Sequence, residues 1–159
     1  AYQSATPMGL CMLLARMNID TEGTHCVVLG RSNIVGTPVS IMLSRTEKHR
    51  NCTVTLCHSK TKNIKEICQQ ADILIVAIGK CEMVTADYIK EGATVIDVGI
   101  HSVEDNTRQS GYRLKGDVKY EEIASKCEYI TPVPGGVGPM TIVGLLVNTL
   151  KSFKNEIYK

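Results

Sequence analysis

Short apolar runs bounded by glycine-containing breaks alternate along this chain with stretches whose apolar residues recur every three or four positions. From Thr6 to Met17, the residues Met8, Cys11, Met12, Leu14 and Ala15 fall at helical spacing, Pro7 suits a first helical turn and Asn18 stands near the end. This predicts an opening amphipathic helix. After the break Thr21-Glu22-Gly23, the run His25-Cys26-Val27-Val28-Leu29 stops at Gly30, and Val35 to Arg45 returns to helical spacing. That is strand, glycine turn, helix. Thr53 to Cys57 is rich in β-branched residues, Asn63 to Gln70 is helical in pattern, and Ile73-Leu74-Ile75-Val76 is wholly apolar between Asp72 and Gly79. A short helix over Thr85 to Lys90 precedes a strand at Thr94-Val95-Ile96-Asp97-Val98, Glu104 to Ser110 is polar enough for a loop or hairpin excursion, and the sheet resumes near Tyr129-Ile130. A closing helix is predicted from Met140 to Phe153, with Ile142, Val143, Leu145, Leu146, Leu150 and Phe153 forming a broad apolar face that something must cover.

Alternation at this spacing is the signature of an α/β fold, a Rossmann-like, doubly wound, mostly parallel sheet that takes its ligand beyond the carboxyl ends of its strands. Gly30, His58, Gly79 and Gly99 fall at such ends. No repeat, low-complexity stretch or linker divides the chain, so one domain over residues 1–159 is expected, with the helices at 6–18 and 140–153 as its boundaries.

Composition narrows the classes of function. A length of 159 residues allows a substantial core without disulfide or metal support. The net charge of +2, on scattered lysines and arginines, argues against a nucleic-acid surface and for a small-molecule partner. No apolar stretch approaches the roughly 18 to 20 residues of a membrane span, and no basic segment followed by an apolar one opens the chain. The seven cysteines form no C-x-x-C pair, so no metal site is expected. They read as reduced thiols of a cytosolic protein, most of them small hydrophobes of the core, with Cys57 and Cys81 flanking loops.

Three segments carry candidate chemistry. Gly30-Arg31-Ser32-Asn33-Ile34-Val35-Gly36 puts small residues where a strand turns into a helix, so that helix-terminal N–H groups can approach a pyrophosphate. It departs from G-x-G-x-x-G in carrying Ser32 for the second glycine, and Gly30 and Gly36 could equally serve tight turning and close packing. NAD-binding folds usually end the second strand in a carboxylate that receives the ribose 2′-hydroxyl. Here that strand ends Cys57-His58-Ser59-Lys60-Thr61-Lys62. With no acid, and with a hydroxyl, two lysines and Arg31 nearby, the site favours the 2′-phosphate of NADP over NAD. Lys60 and Lys62 also read as a solvated loop, which leaves Ser59 and Arg31 as the firmer candidates. Finally, three prolines and three glycines between Thr131 and Thr141 fix an unusual loop before the closing helix. That loop is either a shaped substrate wall or a rigid connector, with Pro139 in a first helical turn and room for a cis peptide.

These segments, together with Val95-Ile96-Asp97-Val98-Gly99-Ile100, Gly116-Asp117-Val118 and the string Pro134-Gly135-Gly136-Val137-Gly138-Pro139-Met140-Thr141, occur in the order found in methylenetetrahydrofolate dehydrogenase/cyclohydrolases. From about Ala5 to Leu150 the chain resembles the NADP-binding half of that family. The resemblance implies that Gly30, Arg31 and Ser32 line the pyrophosphate and ribose of NADP, that Ser59 with Arg31 receives the 2′-phosphate, and that Ile100 lies against the nicotinamide end. It implies that Pro134, Gly135, Gly136, Val137, Gly138, Pro139, Met140, Thr141 and Ile142 border a tetrahydrofolate derivative. The implied activity, in a two-domain enzyme, is NADP-dependent oxidation of 5,10-methylenetetrahydrofolate and hydrolysis of the product to 10-formyltetrahydrofolate, a supply of one-carbon units to purine biosynthesis. A homodimer through the nucleotide domain is implied as well. Two departures stand out: the connection Arg45 to Asn51 is long, and His101 follows Gly99-Ile100 where many members carry Asn or Thr.

The family's chemistry rests on a Tyr-x-x-x-Lys motif in an N-terminal domain, and none of the six tyrosines here has a lysine four positions on. His58 belongs to the presumed phosphate site, His25 opens a strand, and His49 and His101 are expected in loops, so no catalytic residue is assigned. The start Ala1-Tyr2-Gln3, without an initiator Met, reads as a truncation, and both terminal helices are expected to expose apolar faces that would pack on the absent domain. Two other functions compete. The NADP domain of a shikimate-type dehydrogenase would share the glycine turn and basic strand end but not the Pro134 to Thr141 loop, and a free-standing nucleotide-binding module would share the lack of the lysine.

Overall fold

The computed structural model describes residues 2–157; Ala1, Tyr158 and Lys159, the ends of the domain expected from the sequence, lie outside the described residues. The elements in chain order are α1 (Ala5–Arg16), β1 (His25–Leu29), α2 (Gly36–Leu43), β2 (Thr53–Cys57), α3 (Ile64–Cys68), β3 (Ile73–Val76), a 3-10 turn (Ala86–Tyr88) and β4 (Thr94–Asp97). The hairpin β5 (His101–Glu104) and β6 (Tyr112–Lys115) follows, then α4 (Tyr120–Ile123), a second 3-10 turn (Ala124–Lys126), β7 (Tyr129–Ile130) and α5 (Val137–Phe153). Every strand read from the apolar runs is present.

The main sheet is parallel throughout, in the order β2-β1-β3-β4-β7. From β1 the chain steps outward to β2 and then crosses back to β3 on the other side, so the winding reverses between β1 and β3. The crevice of a doubly wound sheet opens at that reversal.

Both faces of the sheet are covered at its centre, which is why β1, β3 and β4 read as nearly continuous apolar runs, whereas edge strand β2 alternates. Cys26, Val28, Ile73, Ile75 and Ile96 point to one face and pack with Leu14 of α1, Val39 and Leu43 of α2 and Val137 of α5. Val27, Leu29, Leu74, Val76 and Val95 point to the other, toward Cys68, Ile89, Val118 and Ile123. Each large apolar side chain removed from water in these layers contributes about 1.5–3 kcal/mol.

α1 and α5 run antiparallel in close contact. Gly9 lies against the backbone of Met140 and Gly144 against that of Ala5. The hydroxyls of Thr6 and Thr141 bond at 2.9 Å, and Asn148 Nδ2 donates to the Gln3 carbonyl at 2.7 Å. The apolar positions of the two helices meet different fates. On α5, Ile142, Leu145, Leu146, Leu150 and Phe153 are 53–85% exposed, as the sequence led us to expect, while Val143 is half-buried. On α1 the expectation fails: Met8, Cys11 and Leu14 are buried in this domain's own core, because α5 and the sheet already flank that helix. No helix among the described residues is long and apolar enough to cross a membrane.

Candidate functional site

Hydrogen bonds between strand ends line up the turns at the carboxyl edge. Gly30 N donates to the Cys57 carbonyl at 2.9 Å, Ala77 N to Leu29 at 2.8 Å, Val98 N to Val76 at 2.9 Å and Thr131 N to Val95 at 3.1 Å. The turns after β2, β1, β3, β4 and β7 therefore stand side by side, and all the candidate residues lie on them or on the start of α5. A cleft of about 560 Å³ between Asn18–Glu22 and Thr46–Asn51 is at the opposite, amino edge and contains no candidate residue.

The glycines of the first turn have a steric reason to be there. Gly30 has φ +105°, and a Cβ on it would lie 2.1 Å from the Ala77 carbonyl oxygen. A Cβ on Gly36 would lie 1.8 Å from the Gly30 oxygen, so the packing role is real whatever else the turn does. Ser32 shapes the entry to α2: its Oγ accepts from Val35 N–H at 3.1 Å and its carbonyl from Thr37 N–H at 3.0 Å. A glycine there would lack this hydroxyl acceptor. Arg31, Ser32, Asn33 and Ile34 are left exposed above the crevice.

The turn after β2 is closed on itself. His58 N–H donates to Thr61 Oγ1 at 2.9 Å, Thr61 N–H returns to the His58 carbonyl at 2.9 Å, and Lys60 N–H donates to His58 Nδ1 at 3.2 Å. The ring of His58 is thereby occupied in holding the turn. Ser59, Lys60 and Lys62 project to solvent, one strand over from Arg31. Among the described residues none of these four side chains has a hydrogen-bond or ion-pair partner, and the turn carries no carboxylate.

The turns after β3 and β4 are held by two buried acids to which sequence reasoning gave no role. Asp97 Oδ1 accepts from Gly99 N at 2.9 Å and Asp117 N at 3.0 Å, and its Oδ2 from Val118 N at 3.0 Å. Burial nonetheless pushes its carboxyl above the ordinary carboxylate value. Asp117, fully buried, accepts from Ile78 N at 2.8 Å and Gly79 N at 2.9 Å through Oδ2, while its Oδ1 meets His101 Nε2 at 2.7 Å. His101 is thus the first residue of a strand with a fixed partner and not a loop residue, a correction to the reading from sequence. The signal was an acid closing an apolar run and a second acid between Gly116 and Val118, but their partners are distant in sequence. Ile100, between the two networks, is 60% exposed.

The last segment leaves β7 through Thr131, whose Oγ1 accepts from Asp97 N–H at 2.8 Å, and a cis Val133–Pro134 bond. α5 begins at Val137, three residues ahead of the predicted start, because Gly138 and Pro139 lie in its first turn instead of in the loop. Of the nine residues proposed as a substrate wall, Pro134, Gly135, Gly138, Pro139 and Ile142 are exposed and Gly136 and Met140 half-buried. Val137 is only 5% exposed, a core side chain, and Thr141 is engaged with Thr6. Two clefts border the segment: one of about 310 Å³, mostly apolar, reaches Leu13, Met17 and Ile130, and one of about 520 Å³ lies between Pro132–Pro134 and the β5–β6 hairpin.

Comparison with known proteins fits this geometry. The family described as tetrahydrofolate dehydrogenase/cyclohydrolase, NAD(P)-binding domain, matches residues 4–157. The bifunctional protein FolD of Cytophaga hutchinsonii is 62% identical over 151 residues, 95% of this chain and 52% of that protein. That of Porphyromonas gingivalis is 61% identical over 153 residues, 96% of this chain and 52% of that protein. Among solved structures, the bifunctional FolD enzyme of Campylobacter jejuni superposes with a TM-score of 0.88 at 46% identity over 99% of this chain and 52% of its own. The Trypanosoma brucei FolD, solved with NADP cofactor and inhibitor, gives 0.85 at 41% identity over 98% of this chain and 52% of its own. The chain spans about half the length of the relatives it matches, and it belongs to the tetrahydrofolate dehydrogenase/cyclohydrolase family as that family's NAD(P)-binding domain.

Proposed function

We propose that this chain forms the NADP site and one wall of the folate site of a two-domain enzyme. That enzyme oxidises 5,10-methylenetetrahydrofolate and hydrolyses the methenyl product to 10-formyltetrahydrofolate. The observation that carries the cofactor reading is the pair of neighbouring turns presenting Arg31, Ser59, Lys60 and Lys62, all without side-chain partners among the described residues and without a competing carboxylate in those turns. A dianionic 2′-phosphate would satisfy them, whereas the 2′-hydroxyl of NAD would find no acceptor of the usual kind. Arg31 and Ser59 are assigned to that phosphate, Gly30 and Ser32 to the pyrophosphate and ribose, and Ile100 to the nicotinamide side. Bound NADP supplies the hydride acceptor. This chain's residues bind and orient it.

The folate wall is supported by Gly138. A Cβ built there meets nothing within 4 Å, and its φ is not in the left-handed region, so neither packing nor conformation within this chain asks for glycine. At the exposed start of α5 it leaves the backbone open to close approach by a ligand. The exposed face of α5 is assigned to the half of the enzyme that carries the reacting lysine, in a cytosolic homodimer.

Calorimetric titration with NADP and NAD at low and moderate salt tests the cofactor reading, since 2′-phosphate contacts are ionic. Preference for NADP, lost in Arg31→Ala or Ser59→Ala, is expected; equal affinity for both dinucleotides overturns it. Adding the complementary half of a relative in trans should then restore folate-dependent NADP reduction.

A further inference from the structure

Asp117 adds side-chain links among three segments at the carboxyl edge of the sheet. Its Oδ2 accepts from the amides of Ile78 and Gly79 in the turn after β3, its Oδ1 meets His101 at the end of the turn after β4, and its own amide donates to Asp97. The carboxylate is fully buried, and a Cβ on Gly99 would lie 2.4 Å from its backbone nitrogen and 2.5 Å from its Oδ1, so this chain keeps room for it there. A buried carboxylate is costly unless its oxygens are satisfied. Two amides satisfy one oxygen, and His101 is the side chain that satisfies the other. A carboxylate oxygen can only accept, so Nε2 donates to it at 2.7 Å.

Ile100 belongs to the second of the two turns that Asp117 ties together, on the side of the crevice away from Arg31 and Ser59. We propose that His101 is a positioning residue for the nicotinamide half of the nucleotide site, acting through Asp117 to hold the Ile78-Gly79 amides and Ile100 in one arrangement. The inference rests on the nucleotide reading above and adds a division of labour within it. The turns after β1 and β2 grip the phosphorylated adenosine, and the His101–Asp117 pair sets the geometry of the other half. The hairpin register places His101 opposite Lys115, which is itself held by an ion pair with Glu82 at 2.6 Å. The ring is only partly exposed, at 23% of its side chain.

The test compares two ligands, NADP and 2′,5′-ADP, which carries the adenosine with its 2′- and 5′-phosphates but lacks the nicotinamide half. His101→Ala and His101→Leu both remove the donor, the second keeping bulk in case the first does not fold. His101→Gln retains an N–H near the place of Nε2. Loss of the donor should weaken NADP about tenfold, the order expected for one hydrogen bond to a charged group. It should leave 2′,5′-ADP within about twofold, and Gln should restore NADP affinity. The amide resonances of Ile78 and Gly79 should shift in Ala and Leu and return toward their original positions in Gln. Unchanged NADP affinity in the donor-less variants, or an equal loss for both ligands, overturns the positioning role. Failure of the original protein to bind either ligand overturns the nucleotide reading itself, and this proposal with it.

Discussion

Gly9 and Met140 touch through their backbones: a Cβ on Gly9 would lie 2.3 Å from the Met140 carbonyl oxygen, closer than any relaxed contact. Gly144 meets Ala5 in the same way, at 2.4 Å. Because the obstructing atoms are backbone, neither helix can yield without moving as a whole. Gly9→Ala and Gly144→Ala should each cost about 1–3 kcal/mol, despite the better helix propensity of alanine, as overpacking does. Urea unfolding reads this as a lower midpoint with an unaltered slope. A midpoint at or above the original would mean that the helices do not cross where the structure has them.

Gly138→Ala should behave in the opposite way. The added methyl meets nothing within 4 Å, and alanine is better than glycine in a helix by about 0.5–1 kcal/mol, so the midpoint should stay or rise. Folate-dependent turnover after addition of the complementary half should nevertheless fall. Unimpaired turnover would remove Gly138 from the folate wall.

Strand positions were legible because burial on both faces leaves runs such as Ile73–Val76 with no polar residue to confuse them. Candidate residues on the turns followed from where those runs stop. Three features stayed wholly or partly hidden, each for a physical reason. The start of α5 at Val137 is only half visible: one reading puts Pro139 in a first helical turn, but the helical spacing begins at Met140, and glycine at 138 reads as a loop residue. The burial of α1 depends on α5, more than a hundred residues away. The hydrogen bonds of Asp97 and Asp117 go mostly to backbone amides, which have no signature in side-chain sequence.

Leu146→Glu should be nearly silent for stability. Leu146 is 62% exposed among other exposed apolar residues of α5, and the change should stay within about 0.5 kcal/mol because a surface substitution removes little buried contact. Its effect should appear in association, since an apolar face of this extent promotes contact between molecules. Light scattering at rising concentration should show weaker self-association than the original. A large drop in thermal midpoint would show that the face is covered within the chain.

Cys52 should be the most reactive of the buried thiols. A hydrogen bond from Cys26 is the largest influence on it and lowers its pKa to about 7, and Thr24 Oγ1 lies 3.7 Å from its sulfur. The thiolate is the nucleophile, so alkylation by iodoacetamide should accelerate as pH rises through about 7, although only 7% of the residue is exposed. Cys26→Ala should move that midpoint upward. Labelling of Cys52 that tracks ordinary thiol titration in both proteins would rule out the hydrogen bond.

Asp97 gives the fold a pH dependence of unusual sign. Its carboxyl titrates at an ordinary 3.8 when unfolded and higher when folded, because burial outweighs the three amides that donate to it. Between those two values the folded chain holds more of this proton than the unfolded chain does. By linkage, stability from this group then falls as pH rises across the window, and is greatest below it. Paired carboxylates normally act in the reverse direction. Asp97→Asn removes the titration and turns an N–H toward at least one of the donating amides, so it should be less stable throughout by about 1–3 kcal/mol. The gap between the two proteins should narrow with rising pH from the acid side, and a carbon-13 titration should place the Asp97 midpoint above 3.8. If the gap instead widens with pH, the amides hold the carboxylate more strongly than burial opposes it, and Asp97 anchors the carboxyl edge as an ordinary stabilised anion.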